Sequence, residues 1–145
     1  MNPTINILNR MMKYFALTLL FFAISNAVMA QDKPKGKPWP APESAVKMKN
    51  PVKADEASIK EGKDLYAQHC KSCHGAKGMG DGSKAEKIDI SCGNFTSDEF
   101  SKISDGELYW KTTEGRKPMP SYKEKLSANE RWAVINYMRT FGIAK

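Results

Sequence analysis

Cys70-Lys71-Ser72-Cys73-His74, followed by Gly75, constrains this chain more than any other stretch. Two thiols three positions apart with a histidine directly after the second match Cys-x-x-Cys-His, the spacing of c-type haem attachment. Near the end of a helix such thiols can add to the two vinyl groups on one edge of a porphyrin. His74 then lies under the iron as proximal ligand through one ring nitrogen, and the other nitrogen is left to donate to a carbonyl that orients the ring. Three other uses compete. Structural zinc needs about four Cys or His ligands, and outside the motif the chain offers only Cys92 and His69. A thioredoxin-type dithiol calls for a βαβ pattern, whereas the flanks read as helix and glycine-rich loop. The third is a chance match that is never used, against which the export signal argues.

That signal is read from residues 1–30. Lys13, the apolar run from Tyr14 to Ile24 and the small-residue ending Val28-Met29-Ala30 have the three-part layout of a secretory signal peptide, with cleavage expected after Ala30. A start at Met12 would give a more ordinary signal length. An uncleaved membrane anchor over residues 14–30 is the alternative, although its apolar run is short against the ~20 residues that span a bilayer. Export places the protein in an oxidising compartment, the periplasm in a bacterial cell. Three cysteines cannot all pair within the chain, so thioethers at Cys70 and Cys73 leave Cys92 over. An inert, partly buried thiol is the default role for Cys92, ahead of an intermolecular disulfide.

Residues 31–56 are rich in proline and lysine with no apolar period, which predicts an extended linker or tether. Within it, Trp39 is expected to fold back on the domain rather than anchor a partner. The globular part, residues 57–145, opens at Ser58-Ile59-Lys60-Glu61, a capping box that starts a helix through Gly62, Leu65 and Tyr66 to His69. Gly62 suits a close helix crossing. Residues 75–82 carry four glycines, but no strand precedes them and no Gly-Lys-Ser/Thr follows, so they fit a backbone turning sharply beside a flat cofactor better than a phosphate loop. Further boxes at Thr96–Glu99, Ser104–Glu107 and Ser127–Glu130 predict a short helix to about Ile103, one stopping at Gly115, and a last one terminated by Gly142. Val134, Tyr137, Met138 and Phe141 give that last helix its apolar face, widened by Trp132 and Ile135. Strand signals are absent, so the domain is expected to be all-α with about four helices. So small a core would be marginal without a covalently held haem at its centre.

A haem iron with one histidine has a sixth position, and its occupant separates electron carriers from catalysts and gas binders. Met119 is the candidate, because Pro118 and Pro120 stiffen the chain on both sides. Met79 stands too close to the attachment site to reach the opposite face, and His69 sits beside Cys70 as a surface or propionate-side residue. With Cys-Lys-Ser-Cys-His-Gly, Gly-x-Gly-Asp-Gly, Ser-Asp-Gly-Glu-Leu-Tyr-Trp, Lys-Pro-Met-Pro-Ser-Tyr and Leu-Ser-x-x-Glu-Arg-Trp-x-Val-x-Asn-Tyr-Met-Arg in order, residues 58–142 resemble a small class I c-type cytochrome. The resemblance implies a cytochrome c-like fold around one covalently attached haem c. It implies thioethers at Cys70 and Cys73, iron ligands at His74 and Met119, and terminal helices crossing through Gly62 and Tyr66. Two departures stand out: the loop after His74 has no proline to offer the ring N–H a carbonyl, and Cys92 lies where the family pattern has no cysteine.

The function these readings support is an exported monohaem carrier that passes single electrons between a donor and an acceptor protein by outer-sphere transfer. It would have no catalytic residues and no small-molecule substrate, and so would not be an enzyme. The formal charge is +7. Removing Arg10 and Lys13 with the signal leaves +5, of which the linker carries +2 and the domain +3. Lys71, Lys77, Lys117, Lys123 and Lys125 cluster in sequence around the two ligand loops, where they could steer an acidic redox partner or a membrane oxidase or reductase. A solvated lysine surface is the plainer use. Interspersed acids and export exclude nucleic acid as a partner. Two alternatives stay open: a haem subunit docked to a larger oxidoreductase, and a haem-based sensor using a labile Met119 and Cys92. Membrane contact is expected only if the signal is uncleaved.

Overall fold

The computed structural model describes residues 33–142; the expected signal peptide lies outside them. Six α-helices occur among these residues: α1 (Glu43–Val46), α2 (Glu56–His69), α3 (Lys71–His74), α4 (Asp98–Ser101), α5 (Asp105–Glu114) and α6 (Ala128–Arg139). Short 3-10 turns follow at Ala85–Lys87 and Thr140–Gly142. No strand forms among the described residues, where an isolated bridge between Arg116 and Met119 is the one β-type pairing. The chain is therefore an all-α domain, as the absence of strand signals predicts.

The frame is the crossing of α2 with α6, the most extensive packing between elements. Gly62 stands at that crossing, where a Cβ would run into the Ala133 carbonyl of α6. Beside it Tyr66, Val134 and Ile135 are fully buried, and Trp132, Met138, Phe100, Leu108, Tyr122 and Leu126 complete the core. Trp132 stacks on Tyr109 of α5 at 4.0 Å, which brings the third long helix against the pair. The start of α2 lies three residues before the expected place. Asp55 is its N-cap, accepting from the Ser58 backbone N–H at 3.0 Å while its own N–H donates to Ser58 Oγ. Ser97, Ser104 and Ser127 cap α4, α5 and α6, the last in a complete box with Glu130.

The expected tether does not stand off from the domain. Residues 33–56 pack along it, with Ala45 of α1 buried against Gly106 of α5. Trp39 folds back onto Trp110 at a centroid distance of 6.0 Å. The buried amide of Asn136 holds the run before α2: its Nδ2 donates to Val52 O (3.1 Å), Lys53 O (3.3 Å) and Ser58 Oγ (3.1 Å), and its Oδ1 accepts from Asn50 (2.7 Å). Composition alone misread this segment, because its apolar contacts are single residues and its anchors are backbone carbonyls, neither of which leaves a period in the sequence.

Candidate functional site

The end of α2 runs through Cys70 into the single turn of α3, so Cys70, Cys73 and His74 share one stretch of helical backbone. Gly75 ends it at φ 82°, a left-handed conformation that side chains disfavour. The glycine-rich loop then folds back on the turn it follows. Gly80 N–H donates to His74 O (2.8 Å), Gly82 N–H to Cys73 O (3.2 Å) and Lys84 N–H to Ser72 O (2.7 Å), pairing the carbonyls that a helix end leaves open. Met79, at the tip, is 52% exposed. Tyr66, buried under the turn, donates its hydroxyl to Gly75 O at 2.8 Å.

His74 stacks on Phe95 at 4.7 Å, and Phe95 continues to Phe100 (4.8 Å) and Phe141 (6.4 Å). Burial pushes the His74 pKa below its ordinary value, so the ring is neutral at neutral pH, the form in which imidazole binds a metal. Its buried Nδ1 makes no hydrogen bond of full geometry. The Cys92 backbone lies close enough to the ring to favour its protonated form, an effect smaller than that of burial. Cys92 thus stands beside the ring for which the sequence offered no proline carbonyl. Its own thiol is half-buried and free, with its pKa raised by burial and then by Cys73, and lowered by Lys33.

Burial pushes the Cys70 thiol up to about 12, with Cys73 adding to the shift. Such a sulfur resists carrying the charge that a zinc thiolate needs, and it suits an uncharged thioether. Among the described residues no group of three or more His, Cys, Asp or Glu side chains converges to hold a metal ion. A structural zinc site therefore lacks its donors. The orphaned imidazole nitrogen, the two thiols on one turn and the aromatic lining fit a covalently held haem.

Met119 comes from the other side of the sequence and is half-buried against the same core cluster as Cys70. Its loop is held at its base. Met119 N–H donates to Arg116 O (2.9 Å), Ser121 Oγ to Thr113 O (2.6 Å) and Tyr122 N–H to Thr112 O (3.2 Å). Tyr122 also donates its hydroxyl to His69 O at 2.7 Å, tying this loop to the residue before Cys70. The Tyr122 phenol is pushed up to about 12 by burial and then by Cys70 and Cys73. Arg131 of α6 supports the stretch beyond, with Nη1 donating to the carbonyls of Lys123 (3.0 Å) and Leu126 (2.5 Å). His69 is half-buried with its ring edge-on to Tyr122 at 5.9 Å. Phe95, Tyr66, Tyr122 and Arg116 were not singled out from sequence as site residues; an aromatic or an arginine far from the motif carries no spacing that would mark it.

A family model described as "Cytochrome C oxidase, cbb3-type, subunit III" matches residues 57–138. Among solved structures, the chain is similar to a chain of the reducing HAO-like protein complex Kustc0457/Kustc0458 of Kuenenia stuttgartiensis, with 31% identity and a TM-score of 0.58. That match covers 73% of this chain and 51% of the other, so this chain spans about half the length of that relative. A structure titled KustC0563 c-type cytochrome matches at 34% identity and a TM-score of 0.49, over 55% of this chain and 95% of that one. No curated protein matches.

Proposed function

The chain belongs to the family described as cytochrome c oxidase, cbb3-type, subunit III, and from that premise we propose that it is an exported monohaem cytochrome c passing single electrons between redox proteins. A cytochrome c-like domain with a role in haem electron transfer is the common ground of the family and the helical fold. The observation that carries the finer reading is the α3 turn, where the Cys70 thiol, kept uncharged by burial, and the Cys73 thiol precede a half-buried, neutral imidazole whose buried Nδ1 has no hydrogen-bond partner.

In this reading Cys70 and Cys73 would hold the haem as thioethers, and His74 and Met119 would bind its iron. When bound, the haem supplies a one-electron ferric/ferrous couple, with a potential raised by methionine ligation and by burial. Phe95 stacks on the imidazole and limits its rotation. The bonds at Thr112, Thr113 and His69 hold the Met119 loop in place, which would leave the iron of a bound haem no open position for a reactant. No acid, base or nucleophile takes part, and we assign no enzymatic activity. Lys71, Lys77, Lys117, Lys123 and Lys125 are exposed and in no ion pair among the described residues, which supports docking to an acidic redox partner.

The spectrum of the oxidised protein tests the ligand set. A weak far-red band from sulfur-to-iron charge transfer should be present, and Met119→Ala should abolish it. Survival of the band in that variant would reassign the ligand. A second reading, a haem subunit docked to a larger oxidoreductase, draws on the family description and on the complex named for the relative above. Co-purification of a stoichiometric partner with the full chain would favour it over the free carrier.

A further inference from the structure

Residues 33–39 run between the stretch 85–91, which leads to Cys92 beside the His74 ring, and the loop that carries Met119, and they are bonded to both. At one end Lys33 Nζ donates to the carbonyls of Ala85 (2.6 Å), Glu86 (3.0 Å) and Ile88 (2.6 Å). Next to it Ser91 N–H donates to Pro34 O at 3.0 Å, one residue before Cys92, whose backbone faces the His74 ring. At the other end Arg116 donates from Nη2 to Lys37 O (2.9 Å) and from Nη1 to Pro38 O (3.0 Å). Its guanidinium also lies 4.7 Å over the Trp39 ring, and Trp39 in turn rests on Trp110. Gly36 is wedged between the loops: a Cβ there would lie 3.0 Å from Ile90 and 3.8 Å from the Arg116 guanidinium.

We propose that this segment is a strap joining the two ligand loops, and that Arg116, clamped on Lys37, Pro38 and Trp39, is a positioning residue that governs how readily Met119 leaves the iron. The inference rests on Met119 being the distal ligand. Arg116 connects the strap to that methionine through its backbone, because its carbonyl accepts the Met119 N–H. Between Arg116 and the anchors at Ser121 and Tyr122 stand only Lys117, Pro118, Met119 and Pro120, and two of these have no N–H to bond. Swinging Met119 away therefore requires one anchor to yield, and the strap supplies the anchor on the amino-terminal side. A planar guanidinium suits the task, since its fork takes two carbonyls while its face covers an indole; a lysine cannot do both.

The test uses the haem-loaded full chain in the ferric state, with imidazole as the probe that competes with Met119 for iron. Arg116→Ala and Trp39→Ala should raise imidazole affinity about ten- to hundredfold, the loss of one or two charge-assisted contacts. Arg116→Lys should fall between these and the parent. Lys33→Met, at the far anchor, should shift affinity in the same direction. Thermal unfolding is recorded alongside. Lower unfolding midpoints with unchanged imidazole affinity would make the strap a scaffold only and overturn the proposal, as would no change in either measurement. A response to Arg116→Ala with none to Lys33→Met would overturn the link between the loops. Met119→Ala checks the premise separately: persistence of its far-red band would refute the ligand assignment whatever the strap variants do.

Discussion

Tyr66 shows how one hydroxyl can serve both the core and the site. It is 2% exposed, edge-on to Tyr137 (5.4 Å) and Phe141 (5.3 Å), and its hydrogen bond to Gly75 O holds the residue that follows His74. Burial, followed by the nearby Cys70, raises its pKa well above the ordinary 10.0. Below that value both folded and unfolded chains keep the proton. Above it the unfolded chain releases the proton while the folded one retains it, so this contribution to stability is present below pH 10.0 and is lost as pH rises toward the folded pKa. Tyr66→Phe should therefore cost about 1–2 kcal/mol at pH 7 by leaving the Gly75 carbonyl unpaired. It should also make the alkaline decline in stability shallower. Urea unfolding of both proteins at neutral and at alkaline pH checks the two effects.

At the scale of elements, the crossing of α2 and α6 depends on Gly62. Gly62→Ala should destabilise the domain by about 3 kcal/mol or more, because the added methyl meets the Ala133 backbone rather than a movable side chain. An unfolding midpoint equal to the parent's would show that the helices can separate without cost. This crossing was legible in the sequence, since Gly62, Tyr66 and the apolar face from Val134 to Phe141 keep helical spacing. Ser104 and Ser127 likewise marked the starts of α5 and α6 and Gly115 the end of α5, whereas α6 stops at Arg139, short of the expected Gly142, and passes into a 3-10 turn. The capping box at α2 was read three residues late, because Ser58 serves as the third residue of a box headed by Asp55. Helix α1 left no signal: four residues held by Ala45 against Gly106 are too short for any periodicity. At the site, the motif and the paired prolines are what make Cys70, Cys73, His74 and Met119 the proposed haem residues. The Phe95 stack and the nearness of the Cys92 backbone to the imidazole depend on loop geometry with no local pattern behind it.

Across the whole molecule, the formal charge of +5 that remains once Arg10 and Lys13 leave with the signal, and the five exposed lysines near Cys70–His74 and Met119 in sequence, bear on rate rather than fold. Electron exchange with an acidic redox protein should slow about tenfold or more between about 10 mM and about 150 mM salt, while exchange with an uncharged reductant should hardly change. Stopped-flow traces at the two ionic strengths test this, and equal slowing of both reactions would remove the steering role. The compact unit begins at Lys33, well ahead of residue 57 where the family match starts. Asn136 makes that difference matter. A fragment excised at residue 57, for grafting into another protein or for expression alone, would discard Asn50, Val52 and Lys53 and leave the amide with Ser58 as its remaining partner. The portable piece is thus longer than the recognisable one, and trimming it to the recognisable boundary should yield a domain that melts earlier than one cut at residue 33.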